Sequence, residues 1–219
     1  MKEFFPVLAA CPLFDGIHSA DLSAMLDCLG ARVSTYRKNQ VIFQEGDPAN
    51  HVGIVLSGAV QIVRQDYYGN RSIVARLAPS ELFGESFACA GVPALPVSVA
   101  AVEDSRVMLI DCRRITLSCT SACSFHSRII FNLLKVVATK NLIFNQKIEI
   151  ISRRTTREKL MAYLMLQAKQ NGSNSFTIPY DRQSLADYLG VDRSAMAAEI
   201  SKLRKDGVID CRKSHFELL

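Results

Sequence analysis

The chain holds seven cysteines but no Cys-x-x-Cys pair, and no secretory leader opens it at Met1-Lys2-Glu3-Phe4-Phe5. An odd count without that spacing, and without a leader, points to reduced thiols in a cytoplasmic protein. No apolar stretch approaches the about 20 residues that a membrane-spanning helix needs, so no membrane partner is expected. There is no phosphate-binding loop, no His-Glu-x-x-His and no Ser-His-Asp order on a nucleophile elbow, which leaves an enzyme without its usual parts. Cys119 with His126 is the one Cys–His pair that an enzyme reading could use. Charged residues make up only 21% of the chain and apolar ones 49%, which excludes a disordered protein and fits one that builds a core.

What charge there is lies unevenly. The net charge is +5 at pH 7; residues 1–152 carry 14 Lys/Arg against 13 Asp/Glu, and residues 153–219 carry 12 against 8. The positive excess sits in the last third, where it suits contacts with a polyanion.

The texture divides the chain into parts. The first thirty residues read as helical, with a turn at Leu13-Phe14-Asp15-Gly16-Ile17 and Ser19 as N-cap of a helix through Leu22, Met25, Leu26 and Leu29. From Val33 to about Asp111 the chain runs in short strand-like pieces: Gln40–Phe43, His51–Leu56, Ala59–Arg64, Ser72–Leu77, Val97–Val102 and Arg106–Ile110. Turn signals between them (Gly46-Asp47-Pro48, Ser57-Gly58, Tyr68-Gly69-Asn70) predict an antiparallel sandwich or barrel.

Between Ser124 and Ser152 there is neither Gly nor Pro. Ser127, Ile130, Leu134, Val137, Asn141, Phe144, Ile148 and Ile151 follow one another at steps of 3, 4, 3, 4, 3, 4 and 3. This heptad seam predicts a long helix pairing with its twin in a homodimer, with Asn141 fixing register; an amphipathic helix packed on its own barrel would use the same spacing. Arg153-Arg154-Thr155-Thr156 reads as a polar hinge. A further helix follows through Leu160, Tyr163, Leu164 and Leu166, then a turn at Asn171-Gly172-Ser173-Asn174 and an edge strand at Phe176-Thr177-Ile178-Pro179.

Residues 181–209 carry the strongest signal. Asp181 can cap a helix from Arg182 to Leu189, and Gly190 can end it in a left-handed conformation. Asp192 can cap a second helix from Arg193 to Lys205, whose inner stripe is Met196, Ile200 and Leu203. The small Ala186 lets the two helices cross closely, which is the helix-turn-helix arrangement. The outer face holds Arg193, Ser194, Ala197 and Ser201. A cation in the first helical turn opposes the helix dipole, so Arg193 implies an anionic or acceptor-rich partner. Val208–Cys211 and His215–Leu218 can pair around Arg212-Lys213-Ser214 as a wing with cations at its tip.

These features together resemble the Crp/Fnr family of catabolite-activator-like regulators. Glu45-Gly46-Asp47-Pro48, Leu56-Ser57-Gly58, Gly69 and Phe83-Gly84-Glu85 match the family's barrel landmarks in order, and Arg182 to Gly207 matches its helix-turn-helix. The resemblance implies an α+β protein. Residues 1–123 would form an effector-sensing double-stranded β-helix (jelly roll) with N-terminal helices, residues 124–152 a dimerisation helix, and residues 153–219 a winged helix-turn-helix. It further implies a homodimer reading a palindromic site on double-stranded DNA, and contact with RNA polymerase. The DNA-contacting positions would be Arg182, Asp192, Arg193, Ser194, Ala197, Ala198, Ser201, Lys202, Arg212 and Lys213. The dimer interface would be Ile130, Leu134, Val137, Asn141, Phe144, Ile148 and Ile151.

Departures from the family pattern narrow the effector. Cyclic-nucleotide sensors follow their Gly-Glu with an Arg-Ser or Arg-Thr that neutralises the cyclic phosphate, and here Leu95 and Pro96 stand in its place. Burying a phosphate without a countercharge costs several kcal/mol, so cyclic AMP is not the expected effector. The pocket is expected along Leu82, Phe83, Gly84, Glu85, Ser86, Phe87, Leu95, Pro96, Val97, Ile130 and Leu134, as an apolar cavity with one carboxylate that suits a small organic molecule. The iron–sulfur branch needs an N-terminal cysteine cluster, but only Cys11 and Cys28 lie there. Cys112, Cys119 and Cys123 form the densest group, open to a redox or metal role, and His18, His51, His126 and His215 are scattered, each open to a haem-ligand role or an ordinary one. The family often has Arg at the position of Ala198, so a β-roll protein with weak or lost DNA binding stays open as a second reading.

Overall fold

In the computed structural model, which describes residues 2–69, 71–116 and 124–219, the chain begins with α1 (Phe5–Ala9) and α2 (Ser19–Cys28). Ser19 is the first helical residue of α2. The capping position belongs to His18, with no side-chain cap, so the expected Ser19 cap is shifted by one. Eight strands follow: β1 (Arg32–Tyr36), β2 (Val41–Phe43), β3 (His51–Ser57), β4 (Val60–Gln65), β5 (Arg71–Leu77), β6 (Leu82–Phe83), then, after the short helix α3 (Glu85–Ala90), β7 (Ser98–Ala101) and β8 (Ser105–Asp111). They form two four-stranded sheets, in the orders β1-β8-β3-β6 and β2-β7-β4-β5, with antiparallel pairings. The expected β-roll is present, and the short α4 (Cys112–Thr116) closes it.

Strand β3 of the first sheet is buried on both faces, which explains why it reads His-Val-Gly-Ile-Val-Leu-Ser without polar alternation. Val52, Ile54 and Leu56 point to one side, where they join Leu13, Phe14, Leu26 and Leu29 from the N-terminal segment. Val55 points to the other and packs between the sheets with Val60, Val99 and Val107. Successive strand side chains alternate between faces, so a strand covered on both sides must be apolar throughout.

Helix α5 (Ser124–Ile151) is a single rod of 28 residues. Ile129, Leu133 and Val136 bury one face in the same core as α2 and β3. Asn132 is also buried, and its Nδ2 donates to the carbonyls of Leu13 (3.0 Å) and Asp15 (2.8 Å). His126 lies 3.3 Å by Nε2 from the Arg114 carbonyl. Buried polar groups need such partners, and these two fix the rotation of α5 about its axis.

The C-terminal unit has α6 (Thr156–Asn171), β9 (Ser175–Thr177), α7 (Arg182–Leu189), α8 (Arg193–Lys205), β10 (Ile209–Arg212) and β11 (His215–Leu218). Strands β10, β11 and β9 make a three-stranded antiparallel sheet with β9 on its edge. The polar hinge turns out to be a capping box. Thr155 Oγ1 accepts from the Glu158 amide, and Glu158 Oε2 accepts from the Thr155 amide. Among the described residues, no helix is long and apolar enough to cross a membrane.

Gly53 on β3 is the tightest point of the β-roll. The Phe83 ring lies over it, and a Cβ at position 53 would stand 2.2 Å from Phe83 Cζ. Gly53→Ala is therefore expected to destabilise the protein by about 1–3 kcal/mol, the usual cost of forcing a packed side chain aside. Urea unfolding checks this, with a lower midpoint at unchanged slope as the expected result.

Candidate nucleic-acid interface and effector segment

Helices α7 and α8 are built by the two aspartates that the sequence marks. Asp181 Oδ1 accepts from the Ser184 amide at 2.7 Å, and Asp192 Oδ1 accepts from the Ala195 amide at 2.9 Å. Between the helices Gly190 takes φ 62°, where a side chain would be strained. Leu185, Ala186 and Leu189 of α7 and Met196, Ile200 and Leu203 of α8 are buried, as a helix-turn-helix core requires.

The structure sorts the expected DNA-contacting residues by what each side chain already holds. Arg193 stands exposed in the first turn of α8, beside the caps. Ser194 and Asp192 are exposed but tied to each other, with the Ser194 hydroxyl donating to the carboxylate at 2.5 Å. Ala197 and Ser201 share an exposed stripe, and Ser201 Oγ donates back to the Ala197 carbonyl. Ala198 and Lys202 lie on the neighbouring stripe, where they line a depression walled by Thr155, Thr156 and Arg157; Lys202 also pairs with Glu199 at 2.8 Å. On the wing, Arg212 ends β10 and Lys213 sits at the tip with φ 54°, both exposed.

Arg182 departs from the expectation. Its Nη2 donates to Cys211 Sγ at 3.2 Å and its guanidinium lies over the Phe216 ring at 4.9 Å. It is half-buried and fastens α7 to the wing instead of projecting outward.

The seam residues of α5 also have a definite place. Ile130, Leu134, Ile148 and Ile151 are exposed by 37%, 66%, 55% and 37%; Asn141 is exposed, and Val137 and Phe144 are half-buried. Phe131, Leu142 and Ile143 extend this uncovered apolar surface. On α5 the side chains packed into the β-roll core are Ile129, Leu133 and Val136, and Lys140 reaches Glu85, whereas Ile130 and Leu134, expected along the pocket, are exposed.

In the effector segment, Leu82, Phe83, Gly84, Glu85, Leu95 and Val97 are buried, Ser86 and Phe87 half-buried, and Pro96 exposed. Gly84 has φ 81°, and a Cβ there would stand 2.7 Å from the His51 carbonyl oxygen; the Gly46 amide donates to the Leu95 carbonyl at 2.9 Å, and the Leu95 amide donates to the Asp47 carbonyl at 2.8 Å. The carboxylate is not alone. Lys140 Nζ lies 2.9 Å from Glu85 Oε1 and also donates to the Leu82 carbonyl, while Glu85 Oε2 is buried without a hydrogen-bond partner among the described residues. The expected lone carboxylate is therefore half of an ion pair. The acid that the resemblance would set against a ribose is thus engaged by a lysine, and Leu95 and Pro96 bring no countercharge for a phosphate.

Of the other candidates, His126 and His215 are engaged structurally, His215 bridging Ser175 Oγ (3.1 Å) and Thr177 Oγ1 (3.0 Å) across the sheet. Cys119 and Cys123 lie outside the described residues. Among the described residues no group of three His, Cys, Asp or Glu is placed to hold a metal.

A family model described as a cyclic nucleotide-binding domain matches residues 33–116, and one described as a Crp-like helix-turn-helix domain matches residues 158–219. The chain is 27% identical over 187 residues to the nitrogen fixation regulation protein FixK of Rhizobium meliloti, covering 82% of this chain and 79% of that protein. It is 26% identical over 185 residues to the transcriptional activator protein FnrL of Cereibacter sphaeroides, covering 80% and 71%. Among solved structures, the c-di-GMP responsive global regulator CLP of Xanthomonas campestris superposes with a TM-score of 0.74 at 19% identity, covering 90% and 98%. FixK2 of Bradyrhizobium japonicum superposes with a TM-score of 0.67 at 22% identity, covering 86% and 92%.

The caps set a pH dependence. Hydrogen bonds from the Ser184 amide to Asp181, and from the Ser194 hydroxyl and Ala195 amide to Asp192, hold both carboxyls below the ordinary carboxylate range. A group whose folded-state pKa is depressed contributes its full stability above the unfolded value of about 4 and loses it as pH falls through the folded value. Acidification below about pH 4 is thus expected to loosen α7 and α8. The double variant Asp181→Asn, Asp192→Asn, which caps without titrating, should show a shallower acid transition by circular dichroism.

Proposed function

Since the chain belongs to the Crp/Fnr family, DNA-binding transcription regulators that carry an effector-binding domain, we propose that it acts as a cytoplasmic homodimer. The α5 seam joins the two copies, and each α8 enters a major groove of a palindromic site. The single observation that carries this reading is Arg193, a cation held exposed at the N-terminus of a helix whose inner face is fully buried. A cation at that end of a helix meets the dipole unfavourably, the Asp181 and Asp192 carboxylates lie beside it, and a phosphate or a guanine edge would engage it outward. Ser194, Ala197 and Ser201 give that helix a small-residue surface that lets it sit close to base edges. Arg212 and Lys213 on the wing would contact the flanking backbone, as would Lys202 from the edge of α8. A second cationic requirement follows from the pairing: two copies place these groups on successive grooves about 34 Å apart.

The exposed apolar side chains along α5 support the dimer half of the reading, because apolar surface left uncovered in this way marks interaction surfaces. The domain limits that go with it are 1–123, 124–152 and 153–219. In the β-roll, the Glu85–Lys140 pair and the Leu95-Pro96 segment favour an effector other than a cyclic nucleotide, and RNA polymerase is the further partner this class of regulator would engage.

Fluorescence anisotropy with labelled duplex from upstream of its own gene tests the proposal. Binding should weaken steeply with salt, and Arg193→Ala should weaken it about tenfold or more, in line with one lost cationic contact per half-site. Leu134→Glu should yield folded monomers by sedimentation velocity and abolish tight binding together. Absence of any salt-dependent complex would favour the weak-binding β-roll reading, for which the alanine-rich outer surface of α8 speaks. Calorimetric titration with cyclic AMP is expected to give no saturable heat, and full occupancy would overturn the effector reading.

A further inference from the structure

The β-roll holds a pair of thiols for which neither the DNA-reading surface nor the effector segment has a use. Cys89 on α3 and Cys112 at the start of α4 are separated by 23 residues, yet their Sγ atoms lie 3.6 Å apart. Their surroundings differ. Cys89 is exposed, whereas Cys112 is only 4% exposed. With Cys112 as hydrogen-bond donor, the contact draws the Cys89 thiol below its ordinary value, while the same bond and burial push Cys112 up. The sulfur of the exposed residue is thus the readier thiolate, with a second thiol in contact with it. Redox-responsive pairs combine those features: an accessible, activated thiol and an adjacent resolving one. Cys11, by contrast, is buried and raised to about 11 by that burial, and among the described residues it has no thiol in contact with it.

We propose that Cys89 and Cys112 form a peroxide-responsive dithiol that closes to an internal disulfide. The Cys89 thiolate attacks one oxygen of hydrogen peroxide and the O–O bond breaks. This leaves a sulfenic acid on Cys89, and the departing hydroxide takes up a proton to become water. The Cys112 sulfur then attacks the Cys89 sulfur; the S–S bond forms, the S–O bond breaks, and the Cys112 proton leaves with the hydroxyl as a second water. Two thiols are oxidised to one disulfide and one peroxide is reduced to two waters.

The movement required is small. The sulfurs must close from 3.6 Å to the bonded separation of about 2.05 Å. Helix α3 is six residues long and ends at Gly91 with φ 65°, so its C-terminal end, where Cys89 sits, is the part free to shift. The disulfide would tie the helix that begins at Glu85 to the end of β8. It would thereby restrain the segment whose carboxylate Lys140 holds, which makes thiol oxidation a second input to the same part of the β-roll.

The full-length protein, reduced and then treated with one to a few equivalents of hydrogen peroxide, provides the test. The expected product is about 2 Da lighter by intact mass, has two fewer titratable thiols, yields a Cys89–Cys112 cross-linked peptide, and reverts with dithiothreitol. Cys112→Ala should instead accumulate a Cys89 sulfenic acid that dimedone traps. Since Cys112 is buried and its variant could unfold, Cys89→Ser serves as the second arm, and it should lose the 2 Da product entirely. Cross-links from Cys112 to Cys119 or Cys123, oxidation of Cys28 at the same rate as Cys89, or over-oxidation of Cys89 without any internal bond would each overturn the proposal.

Discussion

Helix α5 has to satisfy two apolar surfaces at once, and that constraint organises much of the molecule. Ile129, Leu133 and Val136 are committed to the core shared with α2 and β3. Ile130, Leu134, Ile148 and Ile151 are left uncovered by the same rotation. The rotation is not set by greasy contact alone, which is non-directional. Asn132 sets it by donating to two carbonyls of the Leu13–Asp15 turn, since a buried amide left without partners carries the full cost of its desolvation.

A similar economy governs the effector segment. Gly53 lacks a side chain so that Phe83 can lie flat against β3, and Phe83 in turn brings Gly84 and Glu85 to the base of the β-roll. Once Glu85 is buried its charge needs compensation, and Lys140 supplies it from α5. The pair links the segment that would meet an effector to the helix that would carry the dimer, through a charge interaction inside one folded unit.

Legibility from sequence followed the range of the interaction. The caps at Asp181 and Asp192, the left-handed Gly190 and the alternating cores of α7 and α8 are local, and each was readable from a few neighbouring residues. The capping box at Thr155 and Glu158 was equally local: a threonine three residues before a glutamate is its signature, but the stretch reads first as a polar hinge. Pairings across long intervals left no such trace. Arg182 carries the same letter whether it faces DNA or stacks on Phe216, 34 residues later. Lys140 sits in a heptad pattern that gives no hint of Glu85.

The sequence by itself determined the order of elements, the helix-turn-helix with its caps and turn, and the heptad spacing on α5. Those depend on periodicity and on backbone conformations that particular residues favour. Tertiary structure alone decided which apolar stripe of α5 faces inward, that Glu85 is paired with Lys140, that Arg182 braces the wing, and that Cys89 meets Cys112. Each of these is a contact between residues far apart in the chain, and only the folded backbone brings such side chains within reach of one another.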